Sequence, residues 1–121
     1  MFQQNGEINN DLQPIVFVKL INGATINCLL DTGFDGTIIL PRDFVENNSM
    51  LMLGRDILIA AEQQEFEIET AIAEVNWLGD EFQVRIYVSE HDEAIIGVEM
   101  LVDCIVTIDF INSTVAIDKP L

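Results

Sequence analysis

Apolar and polar residues alternate with a period of two along most of this chain. Residues 14–21 (PIVFVKLI) are β-branched and aromatic and end at Asn22-Gly23, a strong short hairpin signal. Residues 24–31 (ATINCLLD) form the expected return strand, followed by a loop with two glycines at 32–36 and a short apolar strand at 37–40. Pro41 suits the first turn of a helix, which predicts a helical turn or two over 42–47 before the break at Asn47, Asn48 and Ser49. Residues 57–61 read as a short strand and 62–65 as a polar tip. Glu65, Glu67 and Glu69 then alternate with Phe66, Ile68 and Thr70, until the apolar phase shifts to Ala71, Ala73, Val75 and Trp77. A phase slip inside one run predicts a bulge or sharp bend. Gly79 and Asp80 turn the chain, and Phe82, Val84, Ile86 and Val88 alternate with polar neighbours. A short helix is expected over 98–103, and a hairpin of 104–111 with 114–118 closes the chain. Residues 1–13, rich in Asn and Gln, read as a flexible N-terminal segment, leaving 14–121 as one domain.

Strands with turns about every 8 to 12 residues predict an all-β closed sandwich or barrel. The length of 121 residues fits one core, and a hydrophobic fraction of 50% excludes wholesale disorder. Charge removes further classes. Twenty-one acidic against five basic residues give a formal charge of −16, which repels phosphate backbones and anionic lipid. No apolar run approaches the roughly 18 residues of a membrane helix. Neither a nucleic-acid nor a membrane partner is therefore expected. Two cysteines, Cys28 and Cys104, without a CxxC pair, and the single His91 give little basis for a zinc site or a disulfide framework. The N-terminus lacks basic and apolar signal regions, so a cytoplasmic protein with reduced thiols is expected.

The candidate chemistry lies at Leu29, Leu30, Asp31, Thr32 and Gly33. An apolar strand runs directly into a carboxylate, where burial and neighbours can tune its ionisation. Thr32 offers a short hydroxyl to a facing backbone, and Gly33 allows close approach of a ligand. The alternative is a plain turn, since Asp and Gly are common turn residues.

This stretch resembles the apolar-apolar-Asp-Thr-Gly motif of the aspartic proteases. That family's second signature, apolar-apolar-Gly before a short helix, is matched by Ile95, Ile96 and Gly97. The chain is similar to the small, bacterial-type retropepsin-like members over residues 14–118. The resemblance implies a closed barrel of short strands with one or two short helices, equivalent to one half of a pepsin-type two-lobed enzyme. It also implies a homodimer with a shared active site, in which Asp31 of each chain activates water to hydrolyse an extended peptide, without cofactor or metal. Asp31, Thr32 and Gly33 would be the catalytic set. Phe34, Asp35 and the flap residues Ala60, Ala61 and Gln63 would contact substrate, and residues 115–117 would join a dimer sheet. Three departures stand out: Phe34 where viral members carry a small residue, Val98 where they carry a bracing arginine, and a flap tip without glycine. These favour the alternative of a catalytically weak dimerisation or peptide-binding module. Among other acidic residues, Asp109 and the Glu65, Glu67 and Glu69 row read as solvated.

Overall fold

The computed structural model describes residues 2–59 and 61–120. The strands are β1 (Phe2–Ile8), β2 (Pro14–Leu20), β3 (Thr25–Leu30), β4 (Ile38–Pro41), β5 (Leu51–Ile59), β6 (Glu65–Trp77), β7 (Asp80–Ser89), β8 (Ala94–Ile96), β9 (Ile105–Asp109) and β10 (Thr114–Lys119). One short helix, α1 (Arg42–Asn47), follows β4 directly. Single 3-10 turns occupy Ala61–Gln63 and Val98–Leu101.

All ten strands join one sheet in the order β5-β6-β7-β4-β8-β3-β2-β1-β10-β9. The expected closed barrel is not formed. β2 also touches β6 through Lys19 and Leu20, but among the described residues β5 and β9 each have one neighbouring strand. Alternation alone predicts strands and a buried face. It does not say whether the last strand returns to the first.

The alternating apolar residues meet in one core. Val16, Val18, Leu40, Ile38, Ile86, Ile96 and Ile117 are almost fully buried there. Trp77 is buried too, and its indole N–H donates to the Met100 carbonyl at 3.1 Å. The Asn22-Gly23 turn forms as its residues predict: Gly23 has φ +95°, and the Asn22 side-chain oxygen accepts the Ala24 N–H at 2.9 Å. The phase slip in β6 coincides with buried neighbours Thr70 and Ala71. Opposite them the β5 register skips between Met52 and Gly54, a bulge on the partner strand.

Two expectations about the termini are corrected. The stretch read as loose contains β1, which pairs with β10 from Phe2↔Lys119 to Glu7↔Thr114 and with β2 at Gly6, Glu7 and Ile8. Its amides bond in place of apolar burial: Gln3 Nε2 donates to Asp118 Oδ1 and Gln4 Nε2 to the Phe17 carbonyl, each at 2.8 Å. A side chain at Gly6 would collide with the Ile15 backbone of β2. Residues 115–117, expected at a dimer edge, lie inside the sheet between β1 and β9, with Val115 and Ile117 buried.

Candidate active site

The site grows from an exchange of strand direction. β3 and β8 run parallel, with Leu30 beside Ile96, while β8 runs antiparallel to β4, with Ile38 beside Ile96. β8 therefore lies between the two strands that the 31–37 loop connects. The loop is stitched to the chain leaving β8. The Asp31 N–H donates to the Ile96 carbonyl at 3.0 Å, Gly97 N–H to Thr37 at 2.7 Å, Val98 N–H to Phe34 at 3.0 Å and Glu99 N–H to Gly36 at 3.2 Å.

Within the loop, Asp31 is half-buried and Thr32 and Gly33 are exposed. Asp31 Oδ1 accepts the Gly33 N–H at 2.9 Å, and the Asp31 carbonyl accepts the Phe34 N–H at 3.1 Å. The carboxylate is thus oriented by its own loop at the end of an apolar strand. A Cβ on Gly33 would sit 3.2 Å from that same Oδ1. Glycine at this position leaves the carboxylate where the amide holds it.

Gly97 serves a different need. A methyl group there would collide with the Gly36 carbonyl oxygen, the Phe34 ring and the Phe34 carbonyl oxygen. The loop and the chain after β8 are packed backbone to backbone, which is why an apolar-apolar-Gly segment accompanies the Asp-Thr-Gly stretch. Phe34 is half-buried, and its ring meets Tyr87 of β7 edge-on with centroids 6.1 Å apart. Tyr87, which the alternation places on the polar side of its strand with Arg85, has Thr70 as its register partner on β6. Thr37 donates its hydroxyl proton to the Arg85 carbonyl. Val98, in the position of the family's arginine, is half-buried. The bracing between loop and turn is made by backbone hydrogen bonds.

β5 and β6 form a long hairpin whose tip is the 3-10 turn at Ala61–Gln63. Ala60 lies outside the described residues. Gln63 is exposed, and both Glu62 (φ +61°) and Gln63 (φ +59°) adopt the left-handed conformation that favours glycine. The glycine-free tip therefore turns as a glycine-bearing one would. Asp35 is exposed beside the loop.

The other residues weighed from sequence fall outside this cluster. Asp109 ends β9 and accepts from the Ile111 N–H at 2.9 Å, the Asn112 N–H at 3.1 Å and Asn112 Nδ2 at 2.8 Å. Those donors hold its carboxyl below the usual carboxylate range. It is a turn cap. Both cysteines are free thiols. Burial pushes the Cys28 thiol up to about 12. Among the described residues no three His, Cys, Asp or Glu side chains are grouped to hold a metal ion, and no helix is long and apolar enough to cross a membrane.

No protein-family model and no curated protein sequence matches the chain. Solved structures do. A retropepsin-like aspartic protease from Rickettsia conorii superposes with a TM-score of 0.65 at 17% identity, covering 95% of this chain and 89% of that one. The EIAV protease complexed with the inhibitor HBY-793 superposes with a TM-score of 0.62 at 24% identity, covering 78% and 90%. The fold of this chain is retropepsin-like.

Proposed function

We propose that the chain is an aspartic endopeptidase that acts as a homodimer on extended peptide segments. The observation that carries this reading is the Asp31 carboxylate, oriented by the Gly33 N–H at the end of an apolar strand whose loop is bonded to the chain leaving β8. A single carboxylate of ordinary acidity is a weak catalyst of amide hydrolysis near neutrality. Two carboxylates facing across a two-fold axis resist double ionisation and share one proton.

In that arrangement the ionised Asp31 takes a proton from a water molecule as its oxygen attacks the scissile carbonyl carbon. Asp31 of the partner subunit, protonated, gives its proton to the carbonyl oxygen. Collapse of the resulting diol breaks the C–N bond. The amine leaves with the proton the first carboxylate had taken, and the diol returns one to the dyad. Thr32 of each chain would hold the opposing loop. Phe34, Asp35, Ala60, Ala61 and Gln63 would line the extended substrate, whose backbone pairs as an added strand. We place the enzyme in the cytoplasm, in keeping with its free cysteines.

A second reading, a peptide-binding or dimerisation module with weak turnover, draws on Val98 in place of an arginine. Cleavage of an unstructured protein by wild type and Asp31→Asn, at high salt and between about pH 4 and 7, separates the two. Asparagine keeps an oxygen for the Gly33 N–H, so the fold should persist. The expected result is a loss of at least about a thousandfold in the variant, with wild type blocked by a statine-type inhibitor. Absence of cleavage by a wild-type dimer would select the binding module.

A further inference from the structure

Two glycines leave a hollow beside the Asp31 loop, and one ring fills it. A Cβ on Gly36 would lie 2.5 Å from Phe34 Cζ and 3.1 Å from Tyr87 Cε2, and a Cβ on Gly97 would lie 2.6 Å from Phe34 Cδ2. The Phe34 ring therefore occupies the space that side chains at 36 and 97 would otherwise take. Tyr87 holds it from a third side, edge-on, with ring centroids 6.1 Å apart. Tyr87 is half-buried and shares its face of β7 with Arg85. Arg85 in turn lies 3.2 Å from Asp56 of β5, so this wall runs from the loop to the hairpin.

We propose that Phe34, held in place by Tyr87, sets the side-chain selectivity of this site: the substrate position facing it takes glycine, alanine or serine, and larger side chains are rejected. The inference rests on the peptidase reading above, in which an extended peptide runs along the Asp31 loop, and it names a substrate class for that reading. Alternate side chains of an extended strand point to opposite faces. A peptide paired with the loop therefore sends every second side chain back towards the wall made by the loop and the turn after β8. Phe34 is the first side chain after Gly33, whose N–H orients the carboxylate, and its ring already fills the hollow in that wall. A methyl or hydroxymethyl group fits in front of the ring. An isobutyl or benzyl group needs the volume that the ring holds.

The ring has little room to yield. Towards Gly36 and Gly97 it meets backbone, and the Val98 N–H bond to the Phe34 carbonyl at 3.0 Å fixes the chain on which it stands. Turning away from them gives up the edge-on contact with Tyr87. Tyr87 belongs to a rigid stretch of sheet: its register partner Thr70 is fully buried and donates its hydroxyl proton to the Gly54 carbonyl at 3.1 Å. Tyr87 is thus a positioning residue, and Phe34 is the one that meets the substrate.

The test uses short peptides in which each position in turn carries alanine or phenylalanine, competing in one reaction with wild type, Phe34→Ala, Phe34→Leu and Tyr87→Ala. The ratio of kcat/KM within a pair does not depend on how much of the enzyme is folded, so a merely structural role for either ring would leave it unmoved. The expected result is a preference for alanine of at least about a hundredfold at one position in wild type, cut at least about tenfold by Phe34→Ala and less by Phe34→Leu and Tyr87→Ala. If Phe34→Ala fails to fold, Phe34→Leu carries the comparison. Equal cleavage of both peptides at every position, or a ratio unchanged in the Phe34 variants, would overturn the selectivity and leave the peptidase reading standing. If nothing is cleaved, competition of the same peptides for binding to wild type decides. The same alanine preference, relieved in the Phe34 variants, would support the Phe34 wall and overturn the peptidase reading. Binding without preference, or no binding, would overturn both.

Discussion

Arg42, the first residue of α1, reaches Glu69 on β6 with Nη2 2.8 Å from Oε1, and its Nε donates to Glu90 Oε1 at 2.7 Å. The other two arginines end on the same hairpin: Arg85 lies 3.2 Å from Asp56 on β5, and Arg55 lies 3.5 Å from Glu67 on β6. All three arginines of a very acidic chain thus pair with carboxylates of the β5–β6 hairpin. Singly such exposed pairs contribute little. Arg42 is the exception in kind, because it joins α1, β6 and the end of β7 at once.

Arg42→Ala should therefore loosen the base of the hairpin. The hydrogen bond from Arg42 holds the Glu90 carboxyl below its usual range. A depressed carboxylate stabilises the folded state above its ordinary range, and that contribution is lost as pH falls through the lowered value. Amide exchange in β5 and β6 of wild type should accelerate below about pH 4. In Arg42→Ala it should already be faster at neutral pH, with a smaller further change on acidification. Identical profiles for the two proteins would remove the pairing from the account.

Two glycines should separate stability from activity. Gly97→Ala places a methyl into the Gly36 and Phe34 backbone, so urea unfolding should show a loss of roughly 2–3 kcal/mol. Gly33→Ala meets only the Asp31 carboxylate, at 3.2 Å. It should change stability by less than about 1 kcal/mol while lowering kcat at least about tenfold, through displacement of the carboxylate. Equal stability losses in both would contradict this division.

The sequence made the strands and the Asp31 loop legible because each depends on local signals: alternation, Asn22-Gly23, and an apolar run ending in a carboxylate. β1 was invisible because Gln3, Gln4 and Asn5 show no apolar alternation. Its stability comes from two neighbouring strands and from amide side chains that bond to distant residues. The ends of the sheet were equally hidden, since pairing partners far apart in sequence leave no periodic trace. Tyr87 could have been found from the polar phase of β7, where a large aromatic stands among Gln83 and Arg85. Its contact with Phe34 could not.

The hairpin tip predicts a substitution that stabilises. Gln63 holds φ +59°, where a side chain costs about 1–2 kcal/mol and glycine costs little. After the greater freedom of glycine in the unfolded chain is counted, Gln63→Gly should stabilise the tip by about 0.5–1 kcal/mol. Amides of Ile59 and Glu65, the last register pair, should then exchange roughly two to five times more slowly. Faster exchange would show that the left-handed turn is not maintained in solution.

Cys28 gives the alkaline side of the stability curve a specific shape. Its thiol is fully buried and raised from 9.0 to about 12. The unfolded chain releases that proton above about pH 9 while the native chain keeps it. Its contribution is complete below pH 9 and declines as pH rises toward 12. Cys28→Ala should lower stability at neutral pH by about 1–2 kcal/mol through lost packing. It should also flatten the decline above pH 9. An unchanged slope in the variant would assign the alkaline loss to other groups.

Association should strengthen with salt. Each chain carries a formal −16, so two copies of it repel. Repulsion between the two chains acts over the Debye length, which shrinks from about 30 Å at 0.01 M to about 3 Å at 1 M. Apolar contacts do not weaken with ionic strength. The dimer dissociation constant should therefore fall at least about tenfold between 0.01 and 1 M salt, and cleavage measured near that constant should rise in step. Mild acid, which neutralises carboxylates, should act in the same direction until the Arg42 pairs begin to fail. Tighter association at low salt would mean that opposite charges meet across the two-fold axis and outweigh the repulsion of the net charge.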